Sequence, residues 1–325
     1  IKNYLMQNDN KNFIFNILSF FLSIFLVFFI IEIYVRTIVD DGSNLNLEML
    51  KYAKSMKIIS INKDIGLEHN KNVEKKLMEV QIKLNSQGFR NNIDIDISKK
   101  TILMLGDSMT LGWGASKTFS SNLEKKINSN FQVLNAGIGN TNTYMQINNF
   151  FENYEKYDFD VIILNFFIND FEKVVIKEGS FIEKNIYSYT YLKTKINKIL
   201  INFSLIDNWK NFYRKTFEDK EFVNKSLNQI KRLNDYCNKK NIMFVINNIP
   251  ELRDLKNYKF LKETKIIRNF SDQNDIMFID SFDILKNHQE ETLMVSKEDA
   301  HSNDKAHLLI AEFLKNKLFS KLNSL

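Results

Sequence analysis

The sequence predicts an α/β protein: a three-layer α/β/α sandwich around a five-stranded parallel sheet, preceded by one transmembrane helix. Two observations carry this. Five short apolar runs alternate with segments whose apolar residues recur at helical spacing, the pattern of a parallel sheet covered on both faces. A single long stretch near the N-terminus carries no charge at all.

That stretch runs from Phe13 to Ile31, 19 uncharged residues rich in Phe, Ile and Leu. As a helix it is about 29 Å long, close to the hydrocarbon thickness of a bilayer. It is apolar all round, unlike a half-exposed soluble helix. Lys11 precedes it, and Glu32 and Arg36 follow. A cleaved signal peptide is the rival, but its apolar region is shorter and ends in small residues, whereas Glu32-Ile33-Tyr34-Val35-Arg36 follows here. An uncleaved anchor within a segment 1–39 is the expectation. Lys2 and Lys11 before the span nearly balance Arg36, Lys51 and Lys54 after it, so charge does not set the orientation. A single span before a large domain is compatible with an exported, periplasmic or extracellular domain.

Residues 40–98 are polar and mixed and read as a stalk and lead-in. The sandwich is expected from 99 to 325. Its strand candidates are Thr101–Leu105, Gln132–Asn135, Val161–Phe167, Ile242–Asn247 and Ile276–Asp280. Its helix candidates are Ser120–Ser129, Thr143–Tyr154, Glu221–Lys239, Lys256–Phe270 and Asp304–Leu322. This alternation fits a flavodoxin-like sheet, in which ligands sit beyond the carboxyl ends of the strands. Residues 171–219 interrupt it. Leu192, Ile196, Ile199, Leu200, Phe203, Ile206 and Trp209 recur there at helical spacing among lysines. The segment is either a helix packed on the domain or a lid or membrane-surface helix.

The net charge is +6. The lysines are interspersed with Glu and Asp, so no phosphate-binding stripe forms and no nucleic-acid partner is expected. Cys237 is the one cysteine, which excludes an internal disulfide and reads as a packed side chain. No Cys or His cluster has metal-ligand spacing, and no metal or cofactor is expected.

Four motifs follow strand candidates. Leu105-Gly106-Asp107-Ser108 places a hydroxyl at the end of the first strand. Asn135-Ala136-Gly137-Ile138-Gly139-Asn140 follows the second, with small residues that let a backbone N–H approach a ligand. Asn165-Phe166-Phe167-Ile168-Asn169-Asp170 ends the third, offering a side-chain amide that can donate to an oxyanion. Asp299-Ala300-His301 lies on a loop after the last. A serine hydroxyl needs an adjacent base, and the base needs a partner that fixes its tautomer. Of His69, His288, His301 and His307, only His301 has an acid just before it on such a loop. His307 reads as packed or capping within a helix, and His69 and His288 as solvated. Singly each motif is modest, since turns use these residues freely. Together they converge on one sheet edge.

In this order and placement the motifs resemble the SGNH (GDSL) hydrolases, over roughly residues 80–322. The lead-in Asn85-Ser86-Gln87-Gly88-Phe89-Arg90 resembles membrane-anchored members. The resemblance implies Ser108 as nucleophile, His301 as base and Asp299 as its orienting acid, with Glu298, three before the histidine, as the alternative. It implies an oxyanion hole from the Ser108 N–H, the Asn169 amide and a backbone N–H. That last donor is commonly a glycine's; here the position falls on Asn140, with Gly139 beside it. The expected activity is two-step acyl transfer on an O-acyl ester, of a lipid or an acylated surface glycan. An O-acyltransferase using the same triad, or a non-catalytic membrane-tethered binding module, are the alternatives.

Overall fold

The computed structural model describes residues 2–322; Ile1 and the last three residues, included in the expected segments 1–39 and 99–325, lie outside them. The N-terminal helix α1 spans Lys2–Tyr34 and runs on through a wider π turn at Val35–Val39. From Phe13 to Phe29 its large apolar side chains are exposed, while Val35, just beyond, is fully buried. The helix is long and apolar enough to cross a bilayer, and its far end is built into the domain.

The stretch expected to be a stalk is folded. Helix α2 (Leu45–Ser55) starts at an Asn44 cap whose side chain accepts from the Leu47 N–H. Two small antiparallel pairs follow, β1 (Lys57–Ile59) with β2 (Leu67–His69) and β3 (Val73–Leu77) with β4 (Val80–Leu84). Tyr52, Met56, Leu77, Met78, Ile82 and Leu84 form a second core with Leu111 and Trp113 of the sandwich. Burial of such side chains contributes about 1.5–3 kcal/mol each, which is why this polar-looking segment does not stand free.

The sandwich then runs β5 (Lys100–Gly106), α3 (Ser108–Leu111), α4 (Phe119–Lys126), β6 (Phe131–Gly137), α5 (Thr143–Asn149) and β7 (Val161–Phe167). Three helices interrupt it, α6 (Phe181–Asn185), α7 (Tyr187–Asn202) and α8 (Trp209–Thr216). It resumes with α9 (Lys220–Lys240), β8 (Met243–Ile249), α10 (Leu261–Gln273), β9 (Met277–Asp280), α11 (Phe282–Leu285) and α12 (Asp304–Leu322). The sheet is parallel throughout, in the order β6-β5-β7-β8-β9. The chain leaves β5 in one direction across the sheet and thereafter moves in the other. Right-handed crossovers therefore put α4 on one face and α5, α9 and α10 on the opposite one. The pairings agree: α4 packs with α12, and α5 with α9.

The strands are buried along nearly their whole length, which explains why they read as apolar runs rather than alternating ones. The helix expected over Lys256–Phe270 begins later, at Leu261. Asp254 is left-handed (φ +60°) and Leu255–Asn257 forms only a 3-10 turn. The insertion, read as one helix, is broken into three by an extended Ile186 and the turn after Phe203.

Near the carboxyl ends of the strands a buried polar chain crosses the sheet. Asn165 donates to the Leu105 carbonyl (3.1 Å), Asn247 to Asn165 Oδ1 (2.9 Å) and Ser281 Oγ to Asn247 Oδ1 (2.7 Å). Each such bond is worth about 1 kcal/mol net. Their larger effect is to fix the register of β5, β7 and β8 under the rim, because a one-residue slip would leave buried amides unpaired.

Candidate active site

The chain changes direction between β5 and its neighbours, and at such a point open α/β sheets take ligands beyond the carboxyl ends of the strands. Gly106 ends β5, and the chain turns at once into the short helix α3. Asp107 caps it, its Oδ1 accepting from the Met109 N–H at 2.8 Å, and Ser108 is its first residue. The turn sits tightly on the end of β6. A Cβ on Gly137 would lie 2.2 Å from the Leu111 nitrogen and 2.6 Å from the Thr110 carbonyl carbon, so only glycine lets α3 approach. From the other side Arg90 caps the turn. Its half-buried guanidinium donates to the carbonyls of Leu111 (2.7 Å), Gly112 (2.6 Å) and Ala115 (2.7 Å). Burial brings its pKa down to about 10, and it remains a cation facing three carbonyl dipoles.

His301 reaches this serine across 193 positions of sequence. Its Nε2 lies 2.9 Å from Ser108 Oγ and its Nδ1 2.5 Å from Asp299 Oδ1. An ionised carboxylate only accepts, so Nδ1 carries the proton and Nε2 is left to accept from the serine hydroxyl. Asp299 Oδ1 also accepts from the His301 N–H (3.1 Å), and Asp299's own N–H is held by Ser296. The loop is closed by a Met294–Ser302 bridge and the Val295 N–H on the His301 carbonyl. Burial works against protonation of the His301 ring; the Asp299 hydrogen bond and charge, joined by Asp107, outweigh it and raise its pKa above the ordinary value. Glu298 does not enter this arrangement. Its side chain is 79% exposed and pairs with Lys198 at 3.5 Å.

Asn140 and Gly139 are distinguished by their hydrogen bonds. The Gly139 N–H donates to Tyr52 Oη at 3.0 Å. Asn140, in the left-handed region at φ +65°, gives its N–H to no protein acceptor among the described residues, and the same holds for Ser108. Asn169 lies in the turn after β7, closed by the Asp170 carboxylate accepting from the Phe167 N–H (2.8 Å) and Gln146 (2.9 Å). Burial, then the charge of Asp107, pushes the Asp170 pKa well up. Burial raises the Asp107 pKa, and the Met109 N–H, the charge of His301 and the Asn169 amide beside it work the other way. Ser108, His301 and Asp299 thus form one contact chain, with the Gly139–Asn140 turn beside Ser108 and Asn169 beside Asp107.

Two lead-in residues, His69 and Tyr52, support the rim. His69, read as solvated, is buried. Its Nε2 lies 2.7 Å from Tyr52 Oη and its Nδ1 2.9 Å from the Gly88 carbonyl, and burial lowers its pKa to about 4. The neutral ring donates from Nδ1 and accepts the Tyr52 proton at Nε2, so the tyrosine oxygen is oriented to receive the Gly139 N–H. Lys57 then donates to the Gly139 carbonyl at 3.1 Å. No local signal marks this pair, since its members are joined only by tertiary packing. His307 is packed within α12, its Nδ1 accepting from the Phe119 N–H at 3.0 Å, and burial lowers its pKa to about 3. Cys237 is buried, which pushes its thiol up to about 12. Among the described residues no group of His, Cys, Asp and Glu is arranged to hold a metal ion.

No family model matches the chain, and no curated protein matches it. Solved structures similar to it include the lipase/acylhydrolase from Enterococcus faecalis, at 10% identity and TM-score 0.45, covering 68% of this chain and 96% of that one. The psychrotrophic esterase EstA from Pseudoalteromonas sp. aligns at 16% identity and TM-score 0.43, covering 69% of this chain and 100% of that one. A member of the lipolytic G-D-S-L family from Veillonella parvula DSM 2008 aligns at 14% identity and TM-score 0.42, covering 68% and 98%. What the rim of this chain can do follows from its own geometry.

Proposed function

We propose that the chain is a serine ester hydrolase of the SGNH (GDSL) type, held at a membrane by its N-terminal helix. The observation that carries this is the contact chain Asp299–His301–Ser108, at 2.5 and 2.9 Å. Ser108 Oγ attacks the ester carbonyl carbon as its proton passes to His301 Nε2. Asp299 stabilises the imidazolium. The developing oxyanion is held by the N–H groups of Ser108 and Asn140 and by the Asn169 amide. On collapse the C–O bond to the alcohol breaks and the alkoxide takes the proton from His301. Water, deprotonated by the same nitrogen, then attacks the acyl-serine and releases the acid. The full chain in detergent should hydrolyse p-nitrophenyl acetate and be labelled by a fluorophosphonate probe. A purified, folded chain that does neither is not a serine esterase.

Tethering is supported by how the apolar helix ends. Glu32 accepts from the Tyr187 and Ser188 N–H groups, and Arg36 donates to the Asn185 carbonyl. Removal of residues up to this point, as in a cleaved leader, would strip the domain of these bonds.

Two measurements probe the chemistry. Asn169→Ala should lower kcat by about 10²–10³-fold, the usual effect of losing one oxyanion donor, with KM little changed because the ground-state carbonyl needs that donor far less. As for pH, His301 must be neutral to act as base and its pKa is raised in the fold. For an uncharged ester kcat/KM should fall as pH drops through a midpoint above about 6.5, the ordinary histidine value. A midpoint below that value would mean that Asp299 does not govern the ring.

A further inference from the structure

The segment from Phe181 to Phe212, spanning α6, α7 and the start of α8, is a strap tied at both ends. At one end it joins the foot of the apolar helix. The Glu32 carboxylate accepts from the Tyr187 N–H at 3.1 Å and the Ser188 N–H at 2.7 Å, serving the first turn of α7, which has no side-chain cap of its own. Arg36 donates to the Asn185 carbonyl at 2.7 Å and lies 4.1 Å over the Tyr187 ring. Farther along, the strap passes beside the loop that carries His301. Lys198 pairs with Glu298, three residues before His301, and Tyr213, on α8 just past the strap, packs on Phe167 and Phe260.

Between the ties, apolar side chains face solvent. Ile196 and Ile199 are 54% exposed, Phe203 74% and Leu205 70%. Positions 196, 199 and 203 share one helix face. Lys193, Lys195 and Lys198 flank it, and α7 carries no acidic residue. Apolar groups clustered in this way mark a surface that is covered in use. A helix with large apolar residues on one side and lysines beside them suits the boundary between headgroups and acyl chains, and the lysines complement anionic lipid. A bilayer is also the surface always within reach, because the strap is bonded to the helix that enters it.

We propose that this strap lies on an anionic bilayer surface and holds the Ser108 rim at it, so that the substrate is an acyl ester carried by a membrane-resident amphiphile. The substrate half rests on the esterase reading; the surface half does not. The test uses the full chain in nanodiscs that hold one copy each, with Phe203→Trp as a reporter beside the native Trp113 and Trp209. In discs of brominated phosphatidylcholine and phosphatidylglycerol, the added emission should be quenched at least twofold, and less so when the anionic lipid is omitted. In parallel, the paired change Phe203→Ser with Leu205→Ser should lower the ratio of disc-borne diacylglycerol hydrolysis to p-nitrophenyl acetate hydrolysis about tenfold. An added emission that brominated lipid leaves unquenched in these single-copy discs overturns the proposal. Quenching with an unchanged ratio overturns the substrate half. Quenching in a chain that turns over neither ester leaves the surface half standing and removes the esterase reading instead.

Discussion

Replacing Ser108 by Ala is expected to reduce ester hydrolysis by about a million-fold, the scale on which a triad nucleophile fails. Among the described residues its hydroxyl bonds only to His301, so no other side-chain bond is lost. The side chain opens a helical turn whose geometry is set by Asp107, Gly137 and Arg90. Alanine suits that first helical position at least as well as serine, so the melting temperature should stay within a few degrees of the parent. His301→Ala should cost about as much, and the double variant no more than either single one. The Ser108 oxygen and the His301 nitrogen act as one unit, and a unit can be lost only once. Steady-state rates on a short-chain aryl ester, read beside thermal melts, check this. A Ser108→Ala chain that retains a per cent or more of the parent rate would move the nucleophile elsewhere.

The parts of this site that could be read in the sequence are those whose signal is local. A buried parallel strand is a run of apolar residues, and a ligand-facing residue follows directly on its end. That is why Ser108 and Asn169 stand out beside Thr101–Leu105 and Val161–Phe167, whereas the Asp299–His301 pair, well past the end of β9, stands out by its own acid–histidine spacing. The lead-in is different. Its pairs are short and two-stranded, with one face wet, so Val73–Leu77 reads as Val-Glu-Lys-Lys-Leu and looks like a tether. What buries it are Leu111 and Trp113, far along the chain. His69 sits among polar neighbours in sequence but beneath Tyr52 and Gly88 in space. The same distance effect hides the difference between Gly139 and Asn140. Nothing near Gly139 announces that its N–H is already bound by a tyrosine 87 positions earlier. In the insertion, helical spacing was visible but the breaks were not. They arise where α7 starts against the foot of the apolar helix and where α8 turns to pack on Phe260, both tertiary facts.

The choice between the two acids before His301 gives the sharpest contrast. Asp299→Asn should lower kcat by about 10⁴-fold, the cost of presenting the wrong imidazole tautomer to a serine. The carboxylate oxygen accepts both the Nδ1 proton and the His301 N–H. An amide can turn its NH₂ towards Nδ1, which then becomes the acceptor and leaves Nε2 protonated and unable to take the Ser108 proton. The remaining activity should carry a second signature. Burial lowers the His301 pKa and Asp299 is the chief group raising it. Without the charge, the acidic limb of kcat/KM should therefore shift to lower pH. Glu298→Gln should do neither. Its carboxylate is in water and pairs with an exposed Lys198, so the rate should stay within about twofold, since exposed pairs contribute at most about 1 kcal/mol. Equal losses from the two variants would mean that the loop carries His301 in another orientation during turnover, with Glu298 as its partner.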